Sequence, residues 1–234
     1  MNTSILNQKL YHRKKNEEGL VIMTRRKVMF KYVIFDFDGT LADSRVVLVS
    51  AWNLLAKKHN FKEMKLEELD TFKKLSIKER SRLLKMPLLK LPIILPQFFQ
   101  LYRQGIKAIK PFDGIKEMLN MVEKKGYKIA IISSNSKDNI LYFLKHYQIN
   151  NIKEILCSNR IHGKDRLITR FLREKRLKPS EVIYVGDEHR DLVACKKTGV
   201  KMIWVGWGYD AEKVVDPLKP DYKVYSPADI LKIL

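Results

Sequence analysis

From Pro111 onward, apolar residues fall into two alternating patterns. Short apolar runs rich in β-branched residues predict buried strands at Lys128–Ile132, Ile155–Cys157, Val182–Val185 and Met202–Val205. Between them, apolar residues at three- and four-residue spacing predict helices over Gly114–Lys125, Lys137–Tyr147, Lys164–Lys175 and Asp191–Thr198. Gly126 stands where a left-handed helix C-cap belongs. One more buried strand, Val33-Ile34-Phe35, lies far upstream. Such alternation predicts an α/β fold: a Rossmann-like, mostly parallel sheet with helices on both faces.

Residues 45–110 break this rhythm. They show helical spacing over Arg45–Asn60, Leu66–Leu75, Ile77–Leu84 and Leu95–Ala108, with Asp43 or Ser44 available to cap the first helix. No strand is predicted between Ser44 and Pro111, and Pro87, Pro92 and Pro96 punctuate the block. The expected organisation is therefore a core of residues 29–44 and 111–234, a helical insertion at 45–110, and a basic, flexible tail at 1–28. Trp52, Phe72, Phe98 and Phe99 are expected in the core of the insertion.

The chemistry gathers at the predicted strand ends, where ligands bind in such sheets. The upstream strand runs into Asp36-Phe37-Asp38-Gly39-Thr40. Alternation places Asp36 and Asp38 on one face. Two neighbouring carboxylates beside apolar residues are costly without a cation, and Mg²⁺ suits oxygen ligands of this kind. A second strand ends in Gly186-Asp187, with Asp191 four residues on. A third ends at Ser133, followed by Ser134 and Asn135, whose backbone N–H groups are expected at a helix start and suited to phosphate. Lys164, after Gly163, can bring a positive charge to the same phosphate. Glu188 and His189 read as exposed loop residues, and His162 as structural or solvated.

Charge sharpens the picture of the substrate. The 234 residues carry a net +20, and residues 45–110, with fifteen basic and five acidic residues, hold half of that excess. A basic surface favours anionic ligands, whether small phosphorylated molecules or nucleic acid. Arg45, Lys73, Lys74 and Arg103 are the cationic candidates in the insertion. The apolar stretch Leu88–Leu101 is too short to span a bilayer, so no membrane partner is expected. Cys157 and Cys195 lack metal-ligand spacing and read as reduced thiols of a cytoplasmic protein, monomeric or homodimeric.

Taken in order, Asp36-x-Asp38-Gly39-Thr40-Leu41-x-Asp43-Ser44, Ser133, Lys164 and Gly186-Asp187-x-x-x-Asp191 resemble the four motifs of the haloacid dehalogenase superfamily. The resemblance runs from about Met29 to the C-terminus, and the helical block resembles that superfamily's cap. Gly206-Trp207-Gly208-Tyr209 and Lys219-Pro220-Asp221-Tyr222 resemble the phosphoglycolate phosphatase-like subgroup. The resemblance implies that Asp36 attacks the phosphorus of a phosphomonoester and that Asp38 serves as acid and base. It implies Mg²⁺ held by Asp36, the Asp38 backbone carbonyl and Asp187, with Asp191 behind them. Ser133, Lys164 and amides near Phe37 and Ser134 would neutralise the transferred oxygens. A small phosphorylated substrate is favoured, with nucleotides, nucleic-acid ends or phosphomutase chemistry as alternatives.

Overall fold

The computed structural model describes residues 11–15, 21–25, 30–158 and 163–234. Within the tail, Tyr11–Lys15 pairs antiparallel with Val21–Arg25, separately from the main sheet. The rest of residues 1–28, and His162, lie outside the described residues.

The main sheet has six strands: β1 Tyr32–Phe35, β2 Lys128–Ser133, β3 Ile152–Cys157, β4 Val182–Gly186, β5 Lys201–Val205 and β6 Tyr222–Val224. Its order is β6-β5-β4-β1-β2-β3, and every pairing is parallel. Parallel strands are buried on both faces, which is why they read as continuous apolar runs. Period-two alternation divides their side chains between two cores. Val33, Phe35, Ile129, Ile131, Ile183 and Val185 enter one, while Ile34, Ala130, Ile132, Val182, Tyr184 and Trp204 enter the other.

Among the described residues, eight helices of seven residues or more follow one another along the chain, and the last five cover these faces. They are α1 Arg45–His59, α2 Ile77–Leu83, α3 Leu91–Gln104, α4 Ile115–Lys124, α5 Lys137–His146, α6 Lys164–Lys175, α7 His189–Thr198 and α8 Pro227–Ile233. The first core takes Ile115 and Leu119 of α4, Ile140 and Phe143 of α5, and Ile230 of α8. The second takes Ile168 and Phe171 of α6 with Leu192 of α7. The chain crosses from β3 to β4 past the central strand β1, so the topological switch point lies between the carboxyl ends of β1 and β4.

Residues 45–110 form helices around a small core of their own, built on Val49, Trp52, Met64, Phe72 and Leu84. The insertion leaves and returns through one short ribbon, Ala42–Asp43 paired antiparallel with Lys110–Pro111. Arg45 braces the exit, binding Asp43 through Nε at 2.7 Å and Nη2 at 2.5 Å, with its guanidinium over the Phe112 ring. Two expectations change here. The last long helix begins at Leu91, four residues earlier than the spacing suggested. Pro92 fits because a first-turn residue needs no N–H partner, although Pro96 lies inside the helix. Phe99 is only half-buried and lines a cleft instead of the insertion's core. Among the described residues, no helix is long and apolar enough to cross a membrane.

Candidate active site

β1 delivers Asp36 to the switch point, and a tight turn follows at once. The N–H groups of Leu41 and Ala42 both bond the Phe37 carbonyl at 2.9 Å. Gly39 completes the turn at φ +79°, and a Cβ placed there would overlap the Asp187 carboxylate. Only glycine satisfies both the left-handed backbone and the close approach.

Asp36 is buried. Its Oδ1 accepts the Phe37 N–H at 2.7 Å, and its Oδ2 lies 2.6 Å from Lys164 Nζ without a hydrogen bond of its own. Lys164, at the start of α6, is equally buried and also pairs with Asp191. Burial opposes the charge on Lys164, but Asp191 and Asp36 outweigh it and hold the ammonium above its ordinary range. For Asp36 the balance goes the other way. Desolvation outweighs the pull of Lys164, Asp191 adds repulsion, and the carboxyl is pushed up to about 7.

Asp38, two residues on and partly exposed, is held by three donors. Ser44 Oγ donates to its Oδ1 at 2.8 Å, Asn135 Nδ2 to its Oδ2 at 2.9 Å, and the Tyr102 hydroxyl to Oδ1. Tyr102 comes from α3, so a residue of the insertion reaches into the core site. Of the two residues offered as helix caps, Asp43 Oδ1 accepts the Arg45 N–H at 3.3 Å, while Ser44 makes no cap bond and commits its proton to Asp38. The Tyr209 hydroxyl then donates to Ser44 Oγ at 2.5 Å.

The loop after β4 brings further carboxylates. Asp187 is fully buried, its Oδ1 accepting Thr40 Oγ1 at 2.8 Å and its Oδ2 accepting Tyr209 N–H at 2.7 Å. Burial, and then repulsion from Glu188 and Asp36, push it well above the carboxylate range. Glu188 is not the exposed loop residue the sequence suggested. Its carboxylate lies with those of Asp36 and Asp191, one oxygen from each within 4.8 Å of the others. Burial raises it, against the opposing pull of Arg190, whose Nε donates to it at 2.5 Å. His189 is exposed, as expected.

Four carboxylates, those of Asp36, Asp187, Glu188 and Asp191, thus face two cations, Lys164 and Arg190. Fully ionised, the group carries an excess of two negative charges, the charge of one divalent cation. The hydrogen-bond vacancy at Asp36 Oδ2 and the all-oxygen donor set fit Mg²⁺.

Beyond the end of β2 the next helix starts where the spacing predicted. Helix α5 begins at Lys137 and is capped by Ser136, whose Oγ accepts the Asn139 N–H at 3.3 Å. Ser134 and Asn135 therefore precede the helix. The Asn135 N–H goes to Ser133 Oγ at 3.0 Å, and its side chain steers Asp38. Ser133 itself is buried beside them.

The insertion is also pinned to the loop after β5. Arg80 of α2 donates to the Phe72 carbonyl at 2.9 Å and to Asp210 Oδ1 at 2.5 Å. Asp210 Oδ2 in turn accepts the His189 N–H at 2.8 Å. Of the four cations singled out in the insertion, Arg45 is committed to Asp43 and Lys73 lies 3.4 Å from Asp70, while Arg103 faces the cleft. Tyr102, Arg80, Tyr209, Thr40 and Arg190 were not singled out from the sequence. Tyr209 and Thr40 carried a signal only as parts of the Gly206–Tyr209 segment and of the Asp36–Thr40 motif.

Comparisons with known proteins agree with this geometry. Residues 33–205 match the haloacid dehalogenase-like hydrolase family. The phosphoglycolate phosphatase of Synechococcus elongatus is 25% identical over 201 residues, covering 86% of this chain and 95% of the relative. Pyrophosphatase PpaX of Bacillus mycoides is 22% identical over 220 residues, with the same coverage of 86% and 95%. A haloacid dehalogenase-like hydrolase from Streptococcus pneumoniae superposes with a TM-score of 0.74 at 21% identity, covering 87% of this chain and 98% of that one, a likeness of fold. With its four motifs assembled at one switch point and the family match spanning most of its length, the chain belongs to the haloacid dehalogenase-like hydrolases.

Proposed function

We propose that this hydrolase is a Mg²⁺-dependent phosphatase that cleaves small phosphomonoesters through an aspartyl-phosphate on Asp36. The observation that carries this reading is the pairing of Asp36 with Asp38. One is a buried carboxylate with an oxygen facing Lys164 and no hydrogen bond on that oxygen, and the other is a partly exposed carboxylate steered by three donors. The two similar proteins from Synechococcus elongatus and Bacillus mycoides, both named as phosphatases, support the same reaction class.

In the first step an Asp36 oxygen attacks phosphorus, and the P–O bond to the alcohol breaks. Asp38 gives its proton to the departing alkoxide. Asp38 then takes a proton from water as that water attacks the acyl phosphate, releasing inorganic phosphate and restoring Asp36. Lys164, between Asp36 and Asp191, places a fixed positive charge beside the transferred oxygens. Ser133 and the Ser134 amide line the same strand end. Asp36, the Asp38 carbonyl and Asp187 would hold Mg²⁺, with Asp191 behind them and Glu188 adding a carboxylate. When bound, the ion supplies charge neutralisation for nucleophile and phosphoryl group. Residues 45–110 act as a cap, and Tyr102 couples its seating to the acid–base residue. A cytoplasmic setting accords with two unpaired thiols, Cys157 raised by burial to about 11 and Cys195 well above its usual range.

Hydrolysis of p-nitrophenyl phosphate tests this directly. Turnover that requires Mg²⁺, disappears with EDTA and disappears in Asp36→Asn is the expected result. Turnover that survives either change contradicts it.

A further inference from the structure

A deep cleft opens beside Asn135, the residue that holds Asp38 Oδ2. Its volume is about 880 Å³, within the range of sites that enclose a drug-sized ligand and more than a phosphate group with a short polar acid fills. The two walls differ in chemistry. The wall from the insertion is apolar: Ile77, Leu91, Leu95, Pro96 and Phe99 face the space. Ile77 is 58% exposed, so this surface is not covered by the protein itself. The opposite wall is polar, formed by Ser134, Asn135, Ser136 and Asn139.

The net charge at the margins is positive. Arg103 and Arg166 line the cleft, are exposed, and have no carboxylate partner among the described residues. The one acid present, Asp165, is offset by Lys197 at 3.6 Å. A ligand that suits this space is anionic at the Asn135 end and apolar along the face of α3.

We propose that the preferred substrates are phosphomonoesters of alcohols with an extended apolar body, alkyl or aromatic, which the cleft holds against Leu91, Leu95 and Phe99. This inference rests on the phosphatase reading and adds the substrate class to it. Burying the apolar body against α3 removes hydrocarbon from water, while the cationic margin draws the dianion in. A short hydroxy-acid phosphate leaves the apolar wall wet and gains only the second effect.

The test is a series of ethyl, butyl, hexyl and octyl phosphates, kept below micelle-forming concentrations. Their alkoxide leaving groups are nearly equal in basicity, so differences in kcat/KM report contacts with the chain. The expected result is a rise of roughly two- to fourfold per methylene, flattened in Phe99→Ala. A flat or falling profile in a protein that hydrolyses ethyl phosphate overturns the inference and leaves the phosphatase reading intact. If neither the series nor p-nitrophenyl phosphate is turned over, the phosphatase reading fails. Calorimetric titration with ethyl- and octylphosphonate then decides the cleft: tighter octyl binding supports it, and equal or weaker binding overturns it.

Discussion

The Tyr102 hydroxyl, carried by the helical insertion, donates to Oδ1 of Asp38, carried by the α/β core. The phenol is buried. Desolvation and the neighbouring Asp38 charge push its pKa well above the ordinary value, so it stays a donor throughout the working pH range. The bond therefore links the insertion to the core and orients the carboxylate proposed as the acid–base group.

Replacing Tyr102 by Phe keeps the ring and removes the donor. A hydrogen bond to a charged group contributes roughly 1.5–3 kcal/mol. Ser44 and Asn135 still hold Asp38, so the loss lies near the lower figure, about tenfold in kcat. Steady-state kinetics on one substrate checks this, alongside thermal unfolding to confirm that the fold is retained. An unchanged kcat would show that the contact is only structural.

Gly39 and Gly126 separate two costs that usually travel together. Both have left-handed backbones, with φ of +79° and +89°, but a Cβ at Gly39 meets the Asp187 carboxylate while one at Gly126 meets nothing within 4 Å. Gly126→Ala is expected to lose only the backbone term, about 1 kcal/mol. Gly39→Ala is expected to lose more than that and to disturb Asp187 as well. Urea unfolding of both variants measures the difference, and equal losses would contradict the close approach at Gly39.

Asp36 ties stability to pH in the metal-free protein. Burial raises its carboxyl from an ordinary value of 3.8 to about 7 in the folded state. The folded protein therefore binds the proton more tightly than the unfolded chain, and stability falls as pH rises between those values. Asp187 and Glu188 are shifted in the same direction, and burial leads in each case. Melting of EDTA-treated protein should show a decline toward pH 7, shallower in Asp36→Asn. Added Mg²⁺ should raise Tm most at the upper end of this window. A Tm that climbs over the same interval in metal-free protein would contradict the electrostatic account.

Five of the six strands and the strand-end aspartates were legible in the chain because each depends on local pattern, whereas the short edge strand Tyr222–Val224, with a charged residue at its centre, was not. Apolar runs fixed the buried strands, and the Asp36-x-Asp38-Gly39 turn needs no distant partner to be recognised. Lys164–Lys175 matched its predicted span because Gly163 and Arg176 bound a clean helical period. Tyr102 was not legible, since an aromatic residue at helical spacing reads as core until the insertion is docked on the core. Arg80 was hidden for a similar reason: its partner Asp210 lies far away in sequence and meets it only across the two parts of the fold. Glu188 was misread because a charged loop residue looks solvated until Arg190 and the neighbouring strand ends enclose it. Asn135 was assigned through its backbone, whereas its side chain makes the contact with Asp38.

The central claim is that Asp36 carries the phosphoryl group, and the most direct measurement traps it there. The protein is mixed with substrate and Mg²⁺, quenched in acid within the first turnovers, reduced with borohydride and mapped by peptide mass spectrometry. Reduction of an acyl phosphate converts the aspartate to homoserine, and the account predicts that residue at position 36 and nowhere else. Active turnover with an unmodified Asp36, or with the modification at another carboxylate, would contradict it.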